Sequence, residues 1–224
     1  MNLIKSKVKK KLKESVVLIN IYNRIPFNNK FKIDKGNEII VGGGVITKCQ
    51  INVHGSGNKI IIGNYCNIQE SLITINGNNN TLFIGDSCNI ISANPHFEDD
   101  GGLIYIGDKT CIAGRTHIAC IEGKKIKIGS NCLFSSDITI RVGDSHSILD
   151  MEGKRINPSK DVNIGDHVWI GNKTIILKGS EIADDSIVGS GAVVSGKYTD
   201  NNVVIAGNPA KIIKRDITWK YERN

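Results

Sequence analysis

Large ring side chains are nearly missing from this chain: aromatics make up 5% of its 224 residues, with two tryptophans among them. A core without rings has to be assembled from small branched side chains in thin layers. No apolar run is long enough to cross a bilayer. The N-terminus lacks the uninterrupted apolar segment and cleavage site of a secretory signal, so a cytoplasmic protein is expected. No CxxC and no His-plus-Cys spacing of a metal cage is present, and no metal is expected. Six cysteines without a signal segment argue against a disulfide framework.

Charge is also unevenly spread. The net charge is +7, yet residues 1–35 hold ten Lys/Arg against two Asp/Glu, and the rest of the chain is close to neutral. A uniform basic surface for nucleic acid is therefore excluded. Within the basic head, Ile4, Val8, Leu12 and Val16 recur four apart among lysines, which predicts an amphipathic helix over residues 1–20. Two roles fit it: peripheral contact with an anionic membrane, or cover for the open end of the following domain. The narrow aliphatic stripe favours cover. Residues 23–36, with Pro26, read as a connector, so the head spans 1–36.

Ile, Gly and Asn are abundant, and they keep a beat. Gly63, Gly85, Gly107 and Gly129 lie 22 residues apart, and each follows an isoleucine. Four residues after each isoleucine sits a small side chain (Cys66, Cys88, Thr110, Cys132), and two further on a large apolar one (Ile68, Ile90, Ile112, Phe134). The unit returns at Ile164-Gly165, Ile170-Gly171, Ile182 and Val188-Gly189. On a strand, residues two apart face the same side, so the small residue and the following aliphatic both point inward. Glycine is expected at corners that need unusual backbone angles. Three six-residue units make one triangular coil of eighteen residues, and the remaining four of each 22 form a corner loop such as Asn76–Asn80. The cysteines then stack in the core. The chain from 37 to 206 is predicted to be a parallel β-helix. Beyond it, Gly207-Asn208-Pro209 breaks the repeat, and residues 211–221 read as a short terminal helix within a tail of 207–224.

The beat fails once. Gly129 to Gly165 spans 36 residues, fourteen more than the local period, and the excess falls around residues 143–160, beside Asp144-Ser145-His146-Ser147. A scaffold that departs from its repeat around a histidine suggests a built-in site.

The hexapeptide unit, the Asp-Ser-His-Ser segment, Asn157-Pro158-Ser159-Lys160, Ile164–Gly171 (IGDHVWIG) and Ala206–Lys211 (AGNPAK) together resemble the hexapeptide-repeat O-acetyltransferases, above all bacterial enzymes acting on capsular polysaccharides such as polysialic acid. The resemblance covers about 39–214. It implies a left-handed β-helix, acetyl-CoA as co-substrate, a saccharide acceptor and a homotrimer with sites between subunits. His146 is the candidate general base, since a histidine can take and return a hydroxyl proton near neutral pH. Asp144 is the candidate to orient its ring. Alternation turns Trp169 outward, and the resemblance puts it near the acetyl group. Likewise by resemblance, Gly171 and Asn172 lie at the oxyanion, Gly189, Ser190 and Ser195 along the pantetheine arm, and Lys197, Lys211 and Lys214 at the nucleotide phosphates. In the coil before the site this chain reads Cys111–Gly123 (CIAGRTHIACIEG), unlike galactoside- and maltose-type relatives, and Arg115 and His117 there are candidates for an anionic acceptor. His167 reads as a surface or interface residue. The absence of cysteine from the excursion speaks against an acyl-enzyme. Two alternatives stay open: N-acetylation of a nucleotide-linked amino sugar, and a non-catalytic binding solenoid. A three-histidine metalloenzyme is disfavoured by the spacing of His117, His146 and His167.

Overall fold

The computed structural model describes Asn23 and residues 28–222; the helix expected over 1–20 lies outside them. Among the described residues, twenty-five strands stack into three sheets of eight, eight and nine strands. Successive strands go to successive sheets, so each turn of chain lays one strand on each of three faces. Face A runs from Lys30–Ile33 to Val193–Val194, face B from Glu38–Val41 to Lys197–Tyr198, and face C from Val45–Thr47 to Val204–Gly207. Neighbouring strands of the coils are parallel and in register. Ile62, Ile84, Ile106, Ile128, Ile164 and Ile182 form one continuous inward column. None of the six is more than 3% exposed, and burial of each such side chain contributes roughly 1.5–3 kcal/mol. The step between coils is 22 residues, then 36 across the excursion, then 18.

The repeat glycines do something other than expected. Gly63, Gly85, Gly107 and Gly129 do not adopt left-handed angles; that role falls two residues later, to Tyr65, Ser87, Lys109 and Asn131, with φ between 56° and 59°. What the glycines provide is space. A Cβ on Gly85 would stand 2.2 Å from Asp108 Oδ1 and 2.8 Å from the Asp108 nitrogen. The aspartates at the next position use that closeness: Asp86, Asp108 and Asp166, each after a glycine, and Asp184, after Ala183, each accept a hydrogen bond from a backbone N–H of the coil before. The small inward residues are also more than filler. The thiols of Cys66, Cys88 and Cys132 and the hydroxyl of Thr110 each donate to a glycine carbonyl of the next coil. All six cysteines are free and buried, and burial pushes the thiols of Cys120 and Cys132 up to about 12.

The extra residues of the 22-residue coils lie at the A–B corner. There Asn37 and Asn58 each accept a backbone and a side-chain donor from the asparagine of the coil after, and Asn80 accepts the backbone N–H of Gly102. Their own amides close on corner carbonyls.

Both ends depart from expectation. The connector contains a strand: Lys30–Ile33 pairs with Gln50–Val53, because Phe31 packs on the core. Asn23 and Asn29 then satisfy the free edge around Val45–Thr47 through Ile46 and Cys49. At the other end the predicted terminal helix does not form. Ala210–Lys214 turns back as an antiparallel strand on Val204–Gly207, so the N–H and C=O groups of the last coil find partners that a helix could not offer. Residues 215–222 then return along the solenoid without helix: Ile217 donates to Asn202 in the last coil, Trp219 reaches His167, and Tyr221 lies beside Cys111.

Candidate active site

The excursion leaves face A after Ile138–Arg141 and rejoins face B at Val162–Ile164, so it enlarges the same A–B corner that carries the asparagines. Its stem is tight. A Cβ on Gly143 would meet Ser159 Oγ at 2.2 Å and Ile121 at 2.6 Å, and Lys160 N–H donates to Val142 O. Between the stems the chain forms a small hairpin with Leu149 opposite Arg155 and its turn at Asp150–Lys154. The tip is apolar and exposed at Ile148, Leu149, Met151 and Ile156.

Buried Asn157 holds this hairpin. Its Oδ1 accepts from Ile148 N–H at 2.7 Å, and its Nδ2 donates to His146 O and to Asp144 Oδ2, both at 2.8 Å. Asp144 also takes the Lys178 ammonium, which donates a second bond to Asn157 O at 3.1 Å. The lysine, then the Asn157 amide, hold the Asp144 carboxyl below the usual carboxylate range. A second clasp joins Arg155 to Glu122 at 2.6 Å, and Arg155 likewise lowers the Glu122 carboxyl.

His146 is therefore fixed through its main chain while its side chain stands exposed. The expected contact from Asp144 to the ring is not made. The Lys178 ammonium, a charge-assisted donor, and the Asn157 amide already occupy that carboxylate, so Asp144 positions the segment instead of the ring.

Below the excursion a cleft of about 420 Å³ follows the A–B corner of the last coils. It is lined by Lys160, Lys178, Ser180, Glu181, Ser195 and Lys197, with Lys197 paired to Glu181 at 3.1 Å. The structure thus brings His146, Asp144, Ser195 and Lys197 to one corner. It does not bring the remaining candidates there. Gly171, Asn172, Gly189 and Ser190 lie at the C–A corner, after Trp169–Ile170 and Ile187–Val188. The Gly171 N–H is bonded to Val188 O, and the Asn172 amide to Ser136. Lys211 and Lys214 are exposed on the last strand of face C.

Trp169 is on face C, outward and 37% exposed. The returning tail covers it in part: Trp219 lies 6.1 Å from Trp169, stacks on His167 at 4.2 Å, and donates to His167 O at 2.8 Å. His167, at φ 52°, also meets Asp185 at 2.8 Å.

At the C–A corner, Arg115 is tied to Asp137 at 2.6 Å. His117 is half-buried, 6.2 Å from His96, and burial, then His96 and Arg141, lower its pKa.

Sequence reasoning missed Asn157 as the clamp, Lys178 and Trp219. The first stood inside a segment already singled out. The second follows from the 36-residue step, which puts Lys178 one coil beyond Val142, within reach of Asp144. No spacing signals the third, because the tail has left the repeat.

A triangular parallel β-helix broken once by a clamped histidine loop defines a hexapeptide transferase, and residues 161–196 match the family model "Bacterial transferase hexapeptide (six repeats)". The polysialic acid O-acetyltransferase of Neisseria meningitidis is 42% identical over 171 residues, 76% of this chain and 79% of that protein. The Escherichia coli O1:K1 / APEC enzyme of the same description is 38% identical over 95 residues, 42% of this chain but 31% of the relative. Among solved structures, the polysialic acid O-acetyltransferase OatWY matches with a TM-score of 0.81 and 37% identity over 88% of this chain and 92% of that one. The polySia-specific acetyltransferase NeuO matches at 0.61 and 26% over 88% and 90%. The chain belongs to the hexapeptide-repeat O-acetyltransferase family, left-handed β-helix acyltransferases.

Proposed function

We propose that this protein transfers an acetyl group from acetyl-CoA to a hydroxyl of a bacterial surface polysaccharide or of its sugar precursor. The observation that carries the reading is the clamped excursion, which holds an exposed His146 at the same A–B corner as the cleft containing Ser195 and Lys197. His146 takes the proton of the acceptor hydroxyl as its oxygen attacks the thioester carbonyl. The C–O bond forms, the C–S bond breaks, and the proton passes from His146 to the departing thiolate. The residues of the cleft fit the donor: backbone edges and Ser195 suit the amides of a pantetheine arm, and Lys160 and Lys197 on its walls suit phosphates. Acetyl-CoA as donor fits a cytoplasmic site of action.

We infer further that the working unit is a homotrimer. His146 stands at the A–B corner and Trp169 on face C of the same prism, so a site using both draws them from neighbouring copies.

The test is release of free thiol from acetyl-CoA against capsular saccharides, with wild type and His146→Ala side by side. The substitution is expected to lower kcat by roughly 10²–10⁴ and to leave acetyl-CoA binding intact. No binding of acetyl-CoA to the wild type would overturn the reading.

A further inference from the structure

Face A beside the excursion carries two rungs of outward residues that the transfer chemistry above does not use. Asn94, His117 and Thr139 form one rung, and His96, Ala119 and Arg141 the next. Ala119 points outward yet is only 6% exposed, because the larger side chains around it form walls and leave it as the floor. Two enclosed polar atoms in these rungs have no partner: Asn94 Oδ1 and Arg141 Nε.

Arg141 is set apart from the other described arginines. Arg115, Arg155 and Arg215 each pair with a carboxylate, whereas Arg141 donates only to Ser145 Oγ, at 3.0 Å. The neighbouring carboxylate, Asp144, is already taken by Lys178 and Asn157. Glu98, at the far end of the strand, pairs with His96 at 3.2 Å. An enclosed guanidinium N–H without an acceptor costs free energy, and its flat donor edge matches a carboxylate. The enclosed Asn94 oxygen wants a donor, such as a hydroxyl or an amide N–H. Asn94 and Arg141 are two coils and one rung apart, about 12 Å between their Cα atoms, a gap that the two side chains and one substituted sugar ring can span together. Ser145, which Arg141 holds, immediately precedes His146.

We propose that Arg141, with His117 and Asn94, seats a carboxylated sugar of the acceptor and so selects an anionic polysaccharide. The proposal rests on the acetyltransferase reading for its purpose, but its test does not.

Binding of oligosialic acid and of oligogalacturonate to the full chain is measured by calorimetry, each beside its carboxyl-reduced form, without acetyl-CoA. At least one carboxylated oligomer should bind, and reduction should weaken it roughly 10–100-fold. Arg141→Gln should weaken the carboxylated form to the same extent and leave the reduced form unchanged. Arg141→Lys, which keeps charge and bulk but loses the fork, should fall between, and melting curves of both variants separate loss of binding from loss of fold. Failure of every carboxylated oligomer to bind, or equal loss of both forms in Arg141→Gln, overturns the proposal. Binding that obeys these rules, with no thiol released when acetyl-CoA is then added to the bound oligomer in a separate assay, would sink the acetyltransferase reading and leave the seat standing.

Discussion

The repeat glycines and their aspartate neighbours show what one residue decides in this protein. Gly85 admits the Asp108 backbone and carboxylate of the next coil where a methyl group would collide at 2.2 Å. Gly85→Ala should therefore destabilise the chain by about 1–3 kcal/mol, read as a lower urea midpoint. Thr110, which holds the cysteine position of its coil and bonds Gly129 O at 2.8 Å, makes a sharper comparison. Thr110→Cys keeps a small inward donor and should be nearly neutral. Thr110→Val keeps the shape, loses the donor, and should cost about 1 kcal/mol in the same unfolding measurement.

At the scale of an element, the excursion is a hairpin held from outside itself. Its strands share few bonds, and Asn157, Lys178 and Glu122 supply the rest. Because the Asp144 carboxyl titrates below its unfolded value, its bonds stabilise the folded hairpin above the ordinary carboxylate range, near pH 3.9. That contribution is lost as pH falls through the lowered value. Amide exchange at Ile148 and Ile156 should thus quicken, after correction for intrinsic rates, on acidification below the ordinary carboxylate value. Lys178→Ala should quicken it severalfold already at neutral pH and flatten the acid response. An unchanged profile in that variant would show that the clamp lies elsewhere.

The regular coils were legible because each isoleucine column is a periodic demand on the chain, repeated until chance is excluded. The excursion was legible as a failure of that demand, and His146 with it. What escaped was contact made by the parts that leave the repeat: Asp144 of the excursion on Lys178, and Trp219 of the tail against His167. The C-terminal strand was misjudged for a related reason. Residues 211–214 read by themselves allow a helix, and only the unpaired edge of the last coil makes a strand the better partner.

For the whole molecule, the proposed homotrimer carries a division of labour between copies. His146→Ala and Trp169→Ala should each be inactive as pure assemblies. When the two are unfolded together and refolded as mixed trimers, part of the thiol-releasing activity should return, since some sites receive an intact histidine from one copy and an intact tryptophan from the next. No recovery from mixed trimers of verified composition would place both residues in one subunit's site.

The asparagine column at the A–B corner has one more consequence. Asn37, Asn58 and Asn80 hand the same bond from coil to coil until Gly102 receives it, so the coils above the site are interchangeable units. Removing residues 64–85 would leave Asn58 to serve Gly102 as Asn80 does now. The solenoid is a ruler with graduations of about 4.8 Å. The number of its upper coils sets how far the point where the basic head joins at Lys30 stands from the histidine, and that distance can change by whole steps without disturbing the site.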